Sequence, residues 1–465
     1  MDNDQAAARL DEEWNVIEKV DSQRVVATGR LSPRQRIAAL CEPDSFFEIG
    51  ALTRTQQSMV MESTPADGVI TGYAKVAGWQ VAIACEDPVV LARTDRQVAA
   101  NKMTRLVANA VFRNMPFIYL VDGAAGPVPQ FAAGEGGLFG GLSRQDPQPD
   151  ICALQAPFIS ILMGHCGLES AAMTAHSDML IAAQPEAESP EPCSDQNQVD
   201  VWVGNDLAAI ELTKRFLSLI PRSLSGPLRE SEGYEGPEAK LPDQLSKPVP
   251  RRVVLQGLMD RGSLIEFDPG SDATLSTGIA SSSGYPIAFA ATGGQEPAVL
   301  GISALRRMSR IVRLSRRFRV PLLTMQDCAG YEQQALSGAD FLRELSALMG
   351  ALRSSPAPKL SLVTGRGHVL GNFVLGSRRL GFDYIAAWPF ADIDTSDIPG
   401  EQLNGAASAD GPWLAAGIGI IDDVFAPSET RDRLRRMIEI LSLSRSLPSL
   451  EASRKNRYVD DVPSV

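Results

Sequence analysis

Residues 161–171, ILMGHCGLESA, bring His165, Cys166 and Glu169 together where an apolar run breaks between Gly164 and Gly167. An imidazole exchanges protons near neutral pH, so His165 is a candidate acid or base. The stretch TGRGHVLGNFVLGS (364–377) holds His368 in a comparable setting. For both histidines a hydrogen-bonded structural side chain is the competing reading, and the clustering of a rare residue at two similar turns balances the two. The third histidine, His176, precedes Ser177-Asp178 at the expected end of a helix and reads as structural. Cys166 could act as a nucleophile only with His165 as its base, yet adjacent residues on an extended segment face opposite ways. Leu168 also stands where a nucleophile elbow needs its second glycine, so a buried, inert cysteine is the better reading. Glu169 at a helix start is either a partner of the helix dipole or a base.

Other chemistry-bearing patterns are weaker. GEGGLFGG (134–141) gives no G-x-G-x-x-G register, and it reads as a loop lining a site rather than a nucleotide cradle. In RRMSRIVRLSRRFR (306–319) the apolar positions 305, 308, 311, 312 and 314 place most arginines on one solvated helix face. Contact with phosphates or an acidic carrier is the alternative there, as it is for Arg93, Arg96 and Lys102. The six cysteines are scattered without a C-x-x-C pair and the histidines lack ligand spacing, so neither a disulfide framework nor a metal site is expected.

The chain of 465 residues, 44% of them hydrophobic, is long enough for two cores. A net charge of −12 speaks against general affinity for nucleic acid or an anionic membrane. The acidic start MDNDQAAARLDEEW lacks the regions of a secretory signal, and no apolar run approaches the roughly eighteen residues of a membrane span, so a soluble, cytoplasmic protein is expected.

These residues belong to an internal duplication. KMTRLVANAVFRNMPFIYLVDGAAG (102–126) aligns with RMSRIVRLSRRFRVPLLTMQDCAG (307–330), pairing Lys102 with Arg307, Arg105 with Arg310, Pro116 with Pro321 and Asp122 with Asp327. Upstream, 36–50 resembles 252–268 and 71–84 resembles 277–290; downstream, 157–167 corresponds to 358–368 and 181–185 to 385–389. Each half reads as two strands, a helix, a buried strand, a second helix and a further buried strand ending at a glycine turn. The expected organisation is a helical lead-in (1–30), a first domain (31–225), a Pro- and Gly-rich linker (226–250) and a second domain (251–465).

The duplication, ADGVITGYAKVAGWQVAIACED (66–87), the Lys102 helix, NDLAAIELTKRFLSLIPRSLSGPL (205–228) and VLQGLMDRGSLIEFDPG (254–270) together resemble the carboxyltransferase β subunit of biotin-dependent acyl-CoA carboxylases, the propionyl-CoA carboxylase type. The resemblance runs from about residue 30 to 460. It implies an α/β fold of two tandem crotonase-like (ββα repeat) domains and a homo-oligomer, as large as a hexamer, with sites shared between chains. It also implies transfer of a carboxyl group from carboxybiotin on a partner subunit to an acyl thioester, by way of an enolate held by backbone N–H groups. On this resemblance the catalytic turns are His165, Cys166, Gly167, Leu168 and Glu169 in the first half, and His368, Val369 and Leu370 in the second. Arg93, Lys102, Gly123, Ala124, Gly330 and Gly371 are the expected ligand-binding positions.

The chain departs from the family pattern at both turns, where Gly-Gly pairs fall on Leu168-Glu169 and Val369-Leu370 and a tyrosine falls on His368. The loops after Asp122 and after Gly330 differ too, and a Gly-rich segment before residue 205 is absent. Two further readings therefore stand beside carboxyl transfer: a biotin-independent decarboxylase or acyl-transfer enzyme working on a CoA or carrier-protein thioester, and a silent scaffold for a carboxylase partner.

Overall fold

The structure, a computed structural model, describes residues 5–6, 8–9, 11–17, 30–55, 64–91, 97–123, 151–183, 199–222, 228, 234, 236–243, 249–267, 274–294, 296–332, 336, 338–367, 369–393 and 411–443. The chain divides into two compact units, residues 1–217 and 218–465.

The first unit enters through helix α1 (Pro33–Leu40). The Ser32 hydroxyl accepts the Gln35 N–H while the Gln35 side chain accepts the Ser32 N–H, a capping box that satisfies two otherwise orphaned donors. Strands β1 (Phe47–Ile49), β2 (Val69–Val76) and β3 (Trp79–Glu86) form an antiparallel meander. The chain continues into helix α2 (Gln97–Arg113) and returns as β4 (Phe117–Val121), parallel to β3. Then come β5 (Phe158–Leu162), helix α3 (Leu168–Thr174), β6 (Met179–Ala183), β7 (Val201–Val203) and helix α4 (Asp206–Leu219). The sheet runs in the order β1-β2-β3-β4-β5-β6-β7. Its inner strands FIYLV, FISIL and MLIAA are buried throughout, which is why they read as unbroken apolar runs without alternation. Met103, Leu106, Val107 and Ala110 recur at helical spacing on α2 and pack with Phe117, Tyr119, Phe158 and Leu162 to make the core.

The second unit repeats the plan. Helix α5 (Arg251–Leu258) precedes the antiparallel strands β8 (Ile265–Phe267), β9 (Leu275–Ser282) and β10 (Tyr285–Thr292). Strand β11 (Ala298–Leu300), helix α6 (Ile302–Phe318), strand β12 (Leu322–Tyr331), helix α7 (Ala339–Ser354), strand β13 (Lys359–Gly367) and helix α8 (Val369–Gly376) follow. The remaining elements are β14 (Tyr384–Ala387), β15 (Asp392–Ile393), helix α9 (Gly411–Gly417), β16 (Asp423–Val424) and helix α10 (Thr430–Leu443). The main path of the sheet is β16-β14-β13-β12-β10-β9-β8.

The two units share a plan at their centres: α2 and α6 are both 17 residues long, and each precedes the strand that pairs in parallel with the last strand of the meander. The second unit departs at β12, which outlasts its counterpart β4. Its register with β13 shifts between Gln326 and Cys328, and beyond that irregularity it pairs with β11. On α6 the positions 304, 305, 308, 311, 312, 314, 315 and 318 are buried, while Arg306, Arg313 and Arg316 are exposed.

Candidate active site

In the first unit the carboxyl ends of β3, β4 and β5 come together, the usual place for ligands in parallel α/β sheets. Asp122 and Gly123 follow β4, and the turn Met163–Gly167 follows β5. The two are joined by the Gly123 N–H donating to the His165 carbonyl at 2.7 Å. A Cβ on Gly164 would lie 1.9 Å from Asp122 Oδ1, so only glycine lets β5 pass that carboxylate. Asp122 is gripped from the other side by Arg36 of α1, whose Nη1 donates to its Oδ2 at 2.6 Å and whose Nε donates to Asp206 Oδ2 at 2.8 Å. Burial opposes the charge on Arg36, but the neighbouring Asp122, Cys85 and Asp206 outweigh it and hold its pKa above the ordinary value. Arg30, Ser32, Arg36, Asp87 and Asp122 line a cavity of about 140 Å³ beside this pair.

The turn then becomes α3. Gly167 is its N-cap and supplies no side-chain acceptor, and the first helical bond runs from the Ala171 N–H to the Gly167 carbonyl at 2.9 Å. Leu168 and Glu169 occupy the first helical turn, where backbone N–H groups have no intrahelical acceptor. Cys166 is fully buried in the core, and its neighbour His165 is half-buried, as the alternation of an extended segment requires. His176 lies exposed just past α3, its Nδ1 3.4 Å from Cys152 Sγ.

A group with no motif in the sequence underlies this turn. Glu86, the last residue of β3, is only 2% exposed. Its Oε1 accepts the hydroxyls of Tyr119 and Ser170 (2.8 Å from the latter), and its Oε2 accepts the Asp122 N–H at 3.0 Å. Burial, and then Glu86, push the Tyr119 phenol well above its usual pKa. Nothing in the sequence marks Glu86, Tyr119, Ser170 or Arg36, since each is a single polar residue in an apolar or amphipathic stretch.

Lys102, an expected ligand-binding position, turns its ammonium onto the backbone. Its Nζ donates to the carbonyls of Gly50 (3.2 Å), Ala66 (2.9 Å) and Val69 (2.6 Å), which accounts for all three ammonium protons. Burial lowers its pKa to about 8, with Glu48 and Asp67 pulling the other way.

The second unit builds a related corner. The Asp327 N–H donates to Thr292 Oγ1 at 3.0 Å, and Asp327 Oδ1 accepts the Arg366 N–H at 2.9 Å. A Cβ on Gly365 would fall 2.4 Å from Asp327 Oδ1, the counterpart of the Gly164 constraint. Gly330 lies within β12, and its φ of +130° is a conformation that suits glycine. Burial pushes the Cys328 thiol up to about 11. Val369, Leu370 and Gly371 form the first turn of α8. Arg93, Arg96, Ala124, His368 and the GEGGLFGG run lie outside the described residues. Among the described residues there is no cluster of His, Cys, Asp and Glu able to hold a metal, and no helix is long and apolar enough to cross a membrane.

Two ββα-repeat units, each with a strand-to-helix turn after its third central strand, define the crotonase-like carboxyltransferase class of α/β fold. The chain belongs to the carboxyl transferase domain family, whose signature it matches over residues 24–181 and 193–397. It is 25% identical to the putative propionyl-CoA carboxylase beta chain of Bacillus subtilis (strain 168), over 95% of this chain and 96% of that one. It is 23% identical to the methylmalonyl-CoA carboxyltransferase 12S subunit of Propionibacterium freudenreichii subsp. shermanii, over 94% of each chain. Among solved structures, the transcarboxylase 12S hexamer with methylmalonyl-coenzyme A and methylmalonic acid bound superposes with a TM-score of 0.76 at 20% identity, covering 95% of this chain and 96% of that one. The expected fold of two tandem crotonase-like domains holds.

Proposed function

We propose that this chain is the carboxyltransferase β-type subunit of a biotin-dependent acyl-CoA carboxylase, moving a carboxyl group between a carrier-borne carboxybiotin and the α-carbon of an acyl-CoA. The observation that carries the reading is the turn at Met163–Ser170: an uncapped helix start facing Gly123 at the carboxyl ends of parallel strands. Loss of the α-proton from a thioester places charge on its oxygen, and the N–H groups of Leu168 and Glu169 are the donors assigned to that charge. His165 is the group assigned to hold or move a proton there; Cys166 contributes backbone and packing. The turn at His368–Leu370, with Gly371, is assigned to the second ligand, the biotin ureido group. Arg93, Gly123, Ala124 and Gly330 are assigned to lining the two sites, and Lys102 to holding the strands that frame the first.

The reading takes residues 31–225 and 251–465 as the two carboxyltransferase domains, 226–250 as their linker and 1–30 as a lead-in. A homo-oligomer with shared sites is part of it, supported by the hexameric 12S relative. Light scattering on the purified protein tests that part.

The function is tested by incubating the protein with malonyl-CoA or methylmalonyl-CoA, with and without biotin or a biotinylated carrier protein, and following products by mass spectrometry. Carboxyl transfer that requires biotin is the expected result. Loss of CO2 without biotin would overturn it in favour of a biotin-independent decarboxylase, and thioester binding without turnover would leave a scaffold.

A further inference from the structure

One carboxylate ties three elements of the first unit together. Glu86 ends β3, Tyr119 is in the middle of β4, Ser170 is in the first turn of α3, and Asp122 follows β4; all four are buried. The Tyr119 and Ser170 hydroxyls, both on Glu86 Oε1, are themselves 3.1 Å apart. Three donors on a carboxylate replace the hydration it loses on burial, and a hydrogen-bonded buried network of this kind holds its members in one geometry. The consequence reaches the turn from both sides. The bond to Ser170 fixes the first turn of α3, and the bond to the Asp122 N–H fixes the end of β4, whose next residue donates its N–H to the His165 carbonyl. A Cβ built on Gly123 would meet the His165 carbonyl at 3.2 Å, Glu86 Oε2 at 3.6 Å and the Gly167 nitrogen at 3.9 Å, so the network and the turn share one small volume.

We infer that Glu86, acting through Ser170 and Asp122, is the positioning residue that sets the spacing between Gly123 and the backbone donors of the 165–170 turn. Its kinetic consequence rests on the proposed carboxyl transfer; its structural consequence does not. Glu86→Gln separates geometry from charge. Its amide oxygen can still accept the Asp122 N–H and its NH2 can donate to the two hydroxyls, which rotate to accept.

The test compares Glu86→Ala, Glu86→Gln, Ser170→Ala and Tyr119→Phe in the full-length protein. Melting temperature verifies folding, and Ser170→Ala and Tyr119→Phe carry the test if Glu86→Ala does not fold. Glu86→Ala and Ser170→Ala are expected to lower kcat by about 10- to 100-fold, the scale of a misplaced reacting geometry, with KM for the thioester changed less than about 3-fold. Glu86→Gln is expected to recover most of that loss. Amide hydrogen exchange of peptides covering 120–123 and 165–171 should speed up in Glu86→Ala and Ser170→Ala and stay near the wild-type rate in Glu86→Gln. A folded Glu86→Ala or Ser170→Ala protein with wild-type kcat and exchange overturns the inference, as does a Glu86→Gln protein as impaired as Glu86→Ala in both. If the wild-type protein shows no carboxyl transfer, the functional reading fails while the exchange rates still decide the positioning role.

Discussion

Lys102 and Arg307 occupy the same place in the two repeated helices and do the same job with different groups. Lys102 Nζ bonds the carbonyls of Gly50, just after β1, and Val69, the first residue of β2. Arg307 bonds the carbonyls of Phe267 (2.7 Å), the last residue of β8, and Leu275 (3.0 Å), the first residue of β9. A cation on the helix thus holds the two ends of the first strand connection in each unit. That explains why the duplication conserves charge at this point while the residue changes.

Arg307→Met should destabilise the second unit, because it removes two charge-assisted hydrogen bonds, to the Phe267 and Leu275 carbonyls. A hydrogen bond to a charged group contributes about 1.5–3 kcal/mol. Chemical denaturation of the variant measures it; an unchanged midpoint would mean that the tie carries no energy.

Lys102 should titrate near pH 8. A lysine whose pKa falls on folding binds fewer protons in the folded state between its folded and unfolded values, so stability rises with pH across that window. Here the window runs from about 8 to the ordinary 10.5, with the burial cost fully present below it and relieved above it. The stability of the wild type relative to Lys102→Met should therefore increase from pH 7 to pH 10 in urea titrations. A 13C-methyl lysine resonance with a midpoint near 8, lost in Lys102→Met, identifies the group.

Gly164→Ala and Gly365→Ala should each be poorly tolerated. The new methyl groups would collide with the carboxylates of Asp122 and Asp327, at 1.9 and 2.4 Å. Overpacking a tight site costs about 1–3 kcal/mol, and a clash this close forces backbone movement as well. Thermal melts measure the loss, and the activity assay should show a larger drop for Gly164→Ala than its stability explains, because the shift falls on the turn beside His165.

Arg36→Met should be among the most disruptive single changes in the first unit. It leaves Asp122 and Asp206 without their shared cation, and breaking one side of a buried pair costs about 3–5 kcal/mol. Adding Asp122→Asn to Arg36→Met should recover part of the loss in a double-mutant cycle, since one uncompensated charge is then removed.

Much of the fold was legible in the linear chain because a duplicated sequence reports its own architecture. The buried strands FIYLV and LLTMQ, the spacing of Met103, Leu106, Val107 and Ala110, and the paired Asp122 and Asp327 each appear twice, so two weak local signals support one another. The candidate site was legible only at its turns. His165, Gly123 and Gly167 do lie together, but nothing near Lys102 in the chain shows which groups its ammonium bonds. Its three carbonyl acceptors come from 33 to 52 positions away in the sequence. Glu86 carried no signal at all, being one carboxylate at the end of a buried strand.

The repeated order of strands and helices, the place of the glycine turns at their ends, and the family are all readable from the linear chain. Periodicity, apolar runs and duplication are local properties that survive without coordinates. Where the polar groups of those elements spend their hydrogen bonds follows instead from how the elements pack. Arg36 reaches Asp122 and Asp206, Lys102 closes on three carbonyls, and Glu86 joins β3, β4 and α3 beneath the turn. Burial obliges such groups to find partners, and which partners are within reach is set by the packing of strands far apart in the chain.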